Sequence, residues 1–275
     1  MKKNRQAIGV FDSGYGGLSV LNELLKSMPN YDFIYLGDNA RSPYGTRSYD
    51  VVYDYTLEAV EKLFSMGCEL VILACNTASA KALRSIQQND LPKIAPNKRV
   101  LGVIRPSVEQ IASLTKTKHV GVMGTLGTVR SNSYPLEIAK LFPDVHVTQE
   151  ACPMWVPLVE NNEVETDGGR YFIKKNIDSL LSKDSLIDAI ILGCTHYPLM
   201  ETEIRKILPD HIQLISQGDI VARSLKDYLF RHPEMDVRCS KNASCEFFTT
   251  EFVDSFEEKA GRFLNTSLIA KHIRF

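Results

Sequence analysis

The sequence predicts an α/β protein of two similar domains, each a mainly parallel sheet flanked by helices, with the active site in the cleft between them. Three observations carry this reading. Short apolar runs alternate along the chain with longer stretches whose apolar residues recur three or four apart, the pattern of βαβ units. Val71-Ile72-Leu73-Ala74-Cys75-Asn76-Thr77 and Ile190-Ile191-Leu192-Gly193-Cys194-Thr195-His196 read almost alike: a buried-strand run, a cysteine, then small polar residues able to open a helix. Ile8-Gly9-Val10-Phe11-Asp12-Ser13-Gly14 and Val120-Gly121-Val122-Met123-Gly124-Thr125-Leu126 form a second matched pair in nearly the same phase.

The elements follow in order. Residues 7–11 form the first candidate strand, and Leu18, Leu21, Leu24 and Leu25 make one face of the helix after it. Residues 32–36 read as the next strand, followed by a helix carrying Val52, Tyr55, Ala59 and Leu63. Further strands are expected at 69–73, 100–103, 119–123, 145–148, 188–192, 212–215 and 246–249. The joint between the domains falls near Val103-Ile104-Arg105-Pro106, where the proline favours a break. The first domain is then residues 1–103 with the tail 214–275, and the second is 104–213. In such folds a ligand sits at the carboxyl ends of the strands, so a cleft there would bring both cysteines to one pocket.

Composition narrows the functional classes. With 275 residues the chain has ample length for one large or two smaller domains. It is 44% hydrophobic and 24% charged, in the range of soluble globular proteins. A formal net charge of −1 leaves no clearly basic footprint for nucleic acid. No apolar run approaches the roughly 20 residues of a membrane helix. The basic start, Met1 to Gln6, leads into an apolar stretch too short for a signal-peptide core. A cytoplasmic protein with six reduced cysteines is expected. None of them forms a Cys-x-x-Cys pair and the six histidines are scattered, so no metal site is expected. Cys68 and Cys152 read as packing residues, and Cys239 and Cys245 as thiols of an irregular, polar stretch. Asn242-Ala243-Ser244 and Asn265-Thr266-Ser267 match glycosylation acceptors, irrelevant in the cytoplasm.

Cys75 and Cys194 carry the sharpest signal. A thiol at a strand end and helix start feels unpaired N–H groups and the helix dipole, which favour thiolate. A single cysteine is more often a small hydrophobe; the matched pair argues for chemistry. His196, two residues after Cys194, is a candidate proton-transfer helper. Asp12-Ser13-Gly14-Tyr15-Gly16-Gly17 lets the backbone approach a ligand, and with Asp38 it supports a competing reading as a dinucleotide binder. That reading is weakened because Ser19 stands where the motif's third glycine belongs and Asp12 would repel a phosphate. A solute-binding module without chemistry is the other alternative. Thr125 and Thr128 suit a ligand or simply a helix N-cap. Pro43-Tyr44-Gly45-Thr46 and Glu150 say little by themselves.

Taken together, these motifs resemble the glutamate racemases, cofactor-independent enzymes of the aspartate/glutamate racemase superfamily. The resemblance covers residues 8–229. It rests on Gly9-Val10-Phe11-Asp12-Ser13-Gly14, Pro43-Tyr44-Gly45, Ala74-Cys75-Asn76-Thr77-Ala78, Gly124-Thr125-Leu126-Gly127-Thr128-Val129 and Gly193-Cys194-Thr195-His196-Tyr197-Pro198. It implies a homodimer supplying D-glutamate for peptidoglycan, with no cofactor. Cys75 would deprotonate D-glutamate with help from Asp12, and Cys194 would deprotonate L-glutamate with help from His196 and Glu150. Ser13, Tyr44, Gly45, Asn76, Thr77, Thr125, Thr128 and Thr195 would hold the substrate's carboxylates and amine. The chain departs from the family at Arg105-Pro106-Ser107, commonly Glu-Pro-Gly, and at Ser216-Gln217-Gly218, often Asp-Ser-Gly. The related aspartate racemases typically carry glutamate at the place of His196, so the histidine favours glutamate as substrate.

Overall fold

The computed structural model describes residues 6–264 and 266–275; the basic residues 1–5 and Asn265 of the second glycosylation-type tripeptide lie outside the described residues. In chain order the strands are β1 (Ile8–Asp12), β2 (Phe33–Gly37), β3 (Leu70–Leu73), β4 (Arg99–Gly102), β5 (His119–Gly124), β6 (His146–Ala151), β7 (Ala189–Gly193), β8 (Gln213–Ile215), β9 (Cys245–Thr249) and β10 (Ala270–His272). They form two sheets, ordered β10-β9-β2-β1-β3-β4 and β6-β5-β7-β8. Every pairing among the described residues is parallel. The order β2-β1-β3-β4 recurs as β6-β5-β7-β8, so the sequence repeat is also a repeat of topology.

Alternation along the strands builds a core on both faces of each sheet. Ile8 and Val10 of β1 pack with Leu18, Leu21, Val221, Leu225 and Phe256, from helices Leu18–Ser27, Gly218–Arg231 and Val253–Leu264. Phe11 faces the other way, toward Val52, Ala59 and Leu63 of helix Tyr49–Ser65. In the second sheet Ile190 and Leu192 of β7 pack with Trp155, Ile173 and Leu180, while Ile191 packs with Val108, Tyr134 and Ile138. Helix Tyr49–Ser65 starts where the Ser48 side chain accepts from the Val51 N–H, and Gly67, with φ 100°, follows its end.

The chain crosses between sheets twice. After β4, helix Ile104–Glu109 supplies Ile104 and Val108 to the second core, so the chain first crosses between the sheets after Gly102. Pro106 sits in the first turn of that helix, where its missing N–H costs no intrahelical bond, and does not break it. The return lies after Ile215 rather than at 213, because β8 still pairs with β7. The tail then adds β9 beside β2 and β10 outside it. β10 is absent from the sequence reading. Its three residues are too short for a period, and only Ala270 is buried. Cys239 lies in the irregular stretch before β9 as expected, though its side chain is buried in the core, whereas Cys245 opens β9 and is not a loop thiol.

Candidate active site

The strand order reverses between β1 and β3 in one sheet and between β5 and β7 in the other. Such switch points open a crevice at the carboxyl ends of the strands. Asp12 ends β1 and Ser13 follows it, Cys75 follows β3, Thr125 follows β5, and Cys194 follows β7. The crevices merge into one cavity of about 130 Å³ lined by both cysteines together with Ser13, Tyr44, Gly45, Asn76, Thr77, Thr125, Thr195 and His196. That size suits a small organic molecule, since a void of about 150 Å³ holds benzene.

Cys75 caps helix Asn76–Lys81. Its Sγ accepts from the Ala78 N–H at 3.5 Å and lies 3.3 Å from Ser13 Oγ. The sequence leads one to expect a lowered thiol pKa. Burial instead pushes it up to about 12, with the charge of Asp12 adding to the rise. The Ser13 and Ala78 hydrogen bonds act in the opposite direction and do not offset this. Burial also raises the Asp12 carboxyl, against the pull of His196 and the Gly17 and Gly14 N–H groups. Asp12 accepts from the Gly14 N–H at 2.9 Å and from Thr195 Oγ1 at 3.4 Å, so the first strand's acid reaches across to the second cysteine's loop.

On the other side, His196 Nδ1 stands 3.9 Å from Cys194 Sγ and its Nε2 lies 3.0 Å from Glu160 Oε1. Burial alone would lower this imidazole, but the Cys194 and Glu160 interactions outweigh it and raise it to about 10. The raised pKa favours the protonated ring, which can donate toward both partners. Phe263 meets it edge-on at 5.9 Å.

Glu160 stands where Glu150 was expected. Glu150 lies inside β6, and its carboxylate accepts from Asn176, Ser179 and Lys183 at 3.0, 3.0 and 2.6 Å. These neighbours belong to helix Asp167–Lys183, which covers the sheet, and Glu150 is not among the residues lining the cavity. Glu160 was missed because it is one acid closing the apolar run Trp155-Val156-Pro157-Leu158-Val159, and nothing local distinguishes it. Cys152, read as a packing residue, is buried but also forms part of the cavity wall, with Pro153, Val156 and Pro157.

Several expected binding residues have their side chains engaged. Thr77, Thr125 and Thr128 bond to one another across the cleft: Thr77 Oγ1 lies 2.9 Å from Thr125 Oγ1 and 3.4 Å from Thr128 Oγ1. Thr125 also caps helix Leu126–Arg130 by accepting from the Thr128 N–H, so it is a cap and a lining residue together. Thr128 stands behind the lining. The Tyr44 hydroxyl donates to the buried Asp38 carboxylate, leaving its ring and backbone for the cavity. The Gly127 N–H donates to the Gly45 carbonyl at 2.7 Å, bringing the two backbones together. Among the described residues no cluster of three or more His, Cys, Asp or Glu could hold a metal ion, and no helix is long and apolar enough to cross a membrane.

Two parallel-sheet halves of one topology place thiols at equivalent strand ends around one small cavity, an arrangement that suits proton transfer at one atom from two sides, as in a racemase. Residues 9–225 match the family described as Asp/Glu/Hydantoin racemase. The chain is 38% identical to the glutamate racemase of Bacillus cereus over 275 residues, covering 99% of this chain and 98% of that protein. Among solved structures it is similar to a glutamate racemase of Bacillus anthracis (TM-score 0.89, 35% identity, 99% of this chain and 98% of that one). It is also similar to the Francisella tularensis glutamate racemase in complex with D-glutamate (TM-score 0.87, 32% identity, 98% of each chain). The chain belongs to the Asp/Glu/Hydantoin racemase family and stands within it beside the glutamate racemases.

Proposed function

We propose that the protein interconverts L- and D-glutamate by moving the α-proton between two cysteines, with no cofactor. The observation that carries the reading is the pair of thiols, Cys75 and Cys194, at equivalent strand ends around one cavity. Inversion at carbon by proton transfer needs removal on one face and delivery on the other, which two one-proton acids on opposite sides can do. From L-glutamate, the Cys194 thiolate takes the α-proton and the Cys75 thiol delivers its own to the opposite face. The turnover ends with Cys194 as thiol and Cys75 as thiolate, and exchange with solvent resets the pair. D-glutamate runs the same steps in reverse.

The helpers fit these roles unequally. His196, held by Glu160, serves as proton-transfer partner on the Cys194 side. Asp12 serves Cys75. The high pKa of the Cys75 thiol keeps it protonated in the free enzyme, and the substrate's ammonium group supplies the opposite charge that makes its thiolate accessible. The hydroxyls of Ser13, Thr77, Thr125 and Thr195, the Asn76 amide and the backbone about Tyr44 and Gly45 hold the carboxylates without adding a titrating base, with Thr128 supporting Thr77 and Thr125 from behind. Electrostatic stabilisation of the developing carbanion then supplies much of the rate.

Glutamate, rather than aspartate, is the substrate read from His196 and from the named activities of the relatives. The wider setting is proposed on the same footing: a cytoplasmic homodimer supplying D-glutamate for peptidoglycan. The chain divides into a first domain, residues 1–103 with the tail after 215, and a second, 104–215. Circular dichroism of exhaustively dialysed, chelator-treated protein with L-glutamate tests the core of the proposal: the optical signal decays to zero. Complete loss of activity that pyridoxal phosphate or a metal restores would overturn it.

A further inference from the structure

Behind the cavity, four buried polar side chains join both halves and both crossings. Asn76, the residue after Cys75, donates from Nδ2 to Gln217 Oε1 at 2.7 Å. Gln217 donates from Nε2 to the Tyr134 hydroxyl at 2.8 Å, and that hydroxyl donates back to Asn76 Oδ1 at 2.7 Å. Each member gives one bond and takes one, so the ring closes in a single sense and fixes the orientation of both amides. Gln217 Nε2 also lies 2.6 Å from Ser107 Oγ, which in turn donates to the Val103 carbonyl at 3.0 Å. All four side chains are at most 4% exposed.

The ring gathers distant parts of the chain. Asn76 belongs to the helix capped by Cys75, and Tyr134 to helix Ser133–Leu141 of the second half. Ser107 lies just past the first crossing, and Gln217 at the start of the helix after the second. The two places where the chain departs from the family pattern, 105–107 and 216–218, therefore meet in one hydrogen bond. A buried polar network is costly unless every member is satisfied, and when satisfied it fixes one arrangement.

We infer that Gln217 is a positioning residue for the reaction: through its ring with Asn76 and Tyr134 it sets the spacing of the two halves, and so the spacing of Cys75 and Cys194 about the substrate's α-carbon. This rests on the two-cysteine racemase reading above. Among the described residues the hydrogen-bond partners of the Gln217 side chain are neutral: Asn76, Ser107, Tyr134 and the Val103 carbonyl. The ionisable groups about the ring are the Tyr134 hydroxyl, raised by burial, and the cysteine thiols on the cavity side, with Glu23 against Gly218 and Glu201 bonded to Ser216 on the other. Arg105, Glu109 and Glu137 pair with one another at the surface. A carboxyl at position 217 would thus have only uncharged groups as its direct hydrogen-bond partners among the described residues. Protonated, it accepts from Asn76 and donates to Tyr134 as the amide does. Ionised, it can only accept, so the ring opens.

The test compares Gln217→Met, Gln217→Glu and Tyr134→Phe with wild type on L-glutamate from pH 6.5 to 9, with circular dichroism spectra to confirm folding. Gln217→Met and Tyr134→Phe lose between 10- and 100-fold in kcat while KM stays within about threefold, because a shift of about 1 Å costs on the order of 100-fold. Gln217→Glu runs near the wild-type rate at pH 6.5 and falls toward the Gln217→Met rate by pH 9. Folded Gln217→Met with wild-type kcat would overturn the inference. So would a Gln217→Glu enzyme whose rate relative to wild type is no better at pH 6.5 than at pH 9, and that comparison decides the matter if Gln217→Met does not fold. Failure of the wild-type enzyme to racemise glutamate would count against the functional reading instead. The ring is then still read without turnover: the Gln217 side-chain amide protons in ¹⁵N-glutamine-labelled protein exchange slowly in wild type and fast in Tyr134→Phe, and fast exchange in wild type would refute the ring.

Discussion

Adding one methyl group at Gly16 gives a sharp test of how the two halves share the site. The Gly16 turn reaches from the first half into the loop that carries Cys194. A Cβ on Gly16 would stand 2.8 Å from His196 Cε1, and closer still to His196 Nδ1 and Thr195 Oγ1. Carbon atoms in ordinary contact are about 3.5–4.0 Å apart, so ring and hydroxyl must withdraw by about an ångström. They have little room. His196 is 5% exposed and boxed in by Cys194, Glu160 and Phe263. Thr195 donates to Asp12, and its carbonyl accepts from Ser19 Oγ at 2.9 Å. A misplacement of that size costs on the order of 100-fold in rate, or about 2.7 kcal/mol of barrier at 1.36 kcal/mol per tenfold. Gly16→Ala should therefore lower kcat about 100-fold, followed by circular dichroism from each enantiomer, with thermal melting as the control for folding. The overall equilibrium constant stays at one, so KM shifts must balance the two directions. A folded Gly16→Ala enzyme within threefold of the wild-type kcat would refute the tight packing of Gly16 on His196.

Three further predictions follow from the site. Glu160→Gln should reduce kcat by 10- to 10,000-fold, the range general acid–base groups span, and move the upper limb of the pH–rate profile to lower pH, whereas Glu150→Gln should leave kcat within a few-fold; the reverse ranking would restore Glu150 as the helper. In D₂O, at less than about a tenth of conversion, product of either enantiomer should carry α-deuterium while recovered substrate keeps protium, read by mass spectrometry after chiral separation; equal label in both would rule out two separate acids. His196 is raised from 6.5 to about 10, so its stabilising effect is fully present below pH 6.5 and is lost as pH rises through 10; the gap in denaturant stability between wild type and His196→Asn should shrink from pH 6 to pH 10.5, and a constant gap would show that the imidazolium is not held as described.

The sequence made much of this legible because its strongest signals are periodic and repeated. The matched runs ending in Cys75 and Cys194 announce two equivalent strand ends, and the structure brings them to one cavity. What was not legible depends on contacts between distant residues. Glu160 is meaningful only because its helix turns it toward His196, 36 positions away in sequence. Glu150 misled because one residue along a strand changes the face, and its side chain points to a covering helix. The glycine-rich turn after β1 invited a phosphate reading. Its Gly16 instead admits protein, namely Thr195 and His196 of the other half. Local sequence says that backbone must come close to something, and not what.

The recurrence of one strand order in both halves has a thermodynamic counterpart. L- and D-glutamate are mirror images with equal free energy in water, so no enzyme can favour either at equilibrium. On the proposed two-cysteine mechanism, the scaffold offers each enantiomer an acid at the same topological address, which suits that parity. Yet the surroundings of the two sulfurs differ: a hydroxyl and a backbone N–H beside Cys75, a buried imidazolium and carboxylate beside Cys194. Such lopsidedness cannot bias the final mixture. It can only divide each direction's cost between capture and turnover, so that an enantiomer processed slowly must be bound correspondingly tightly.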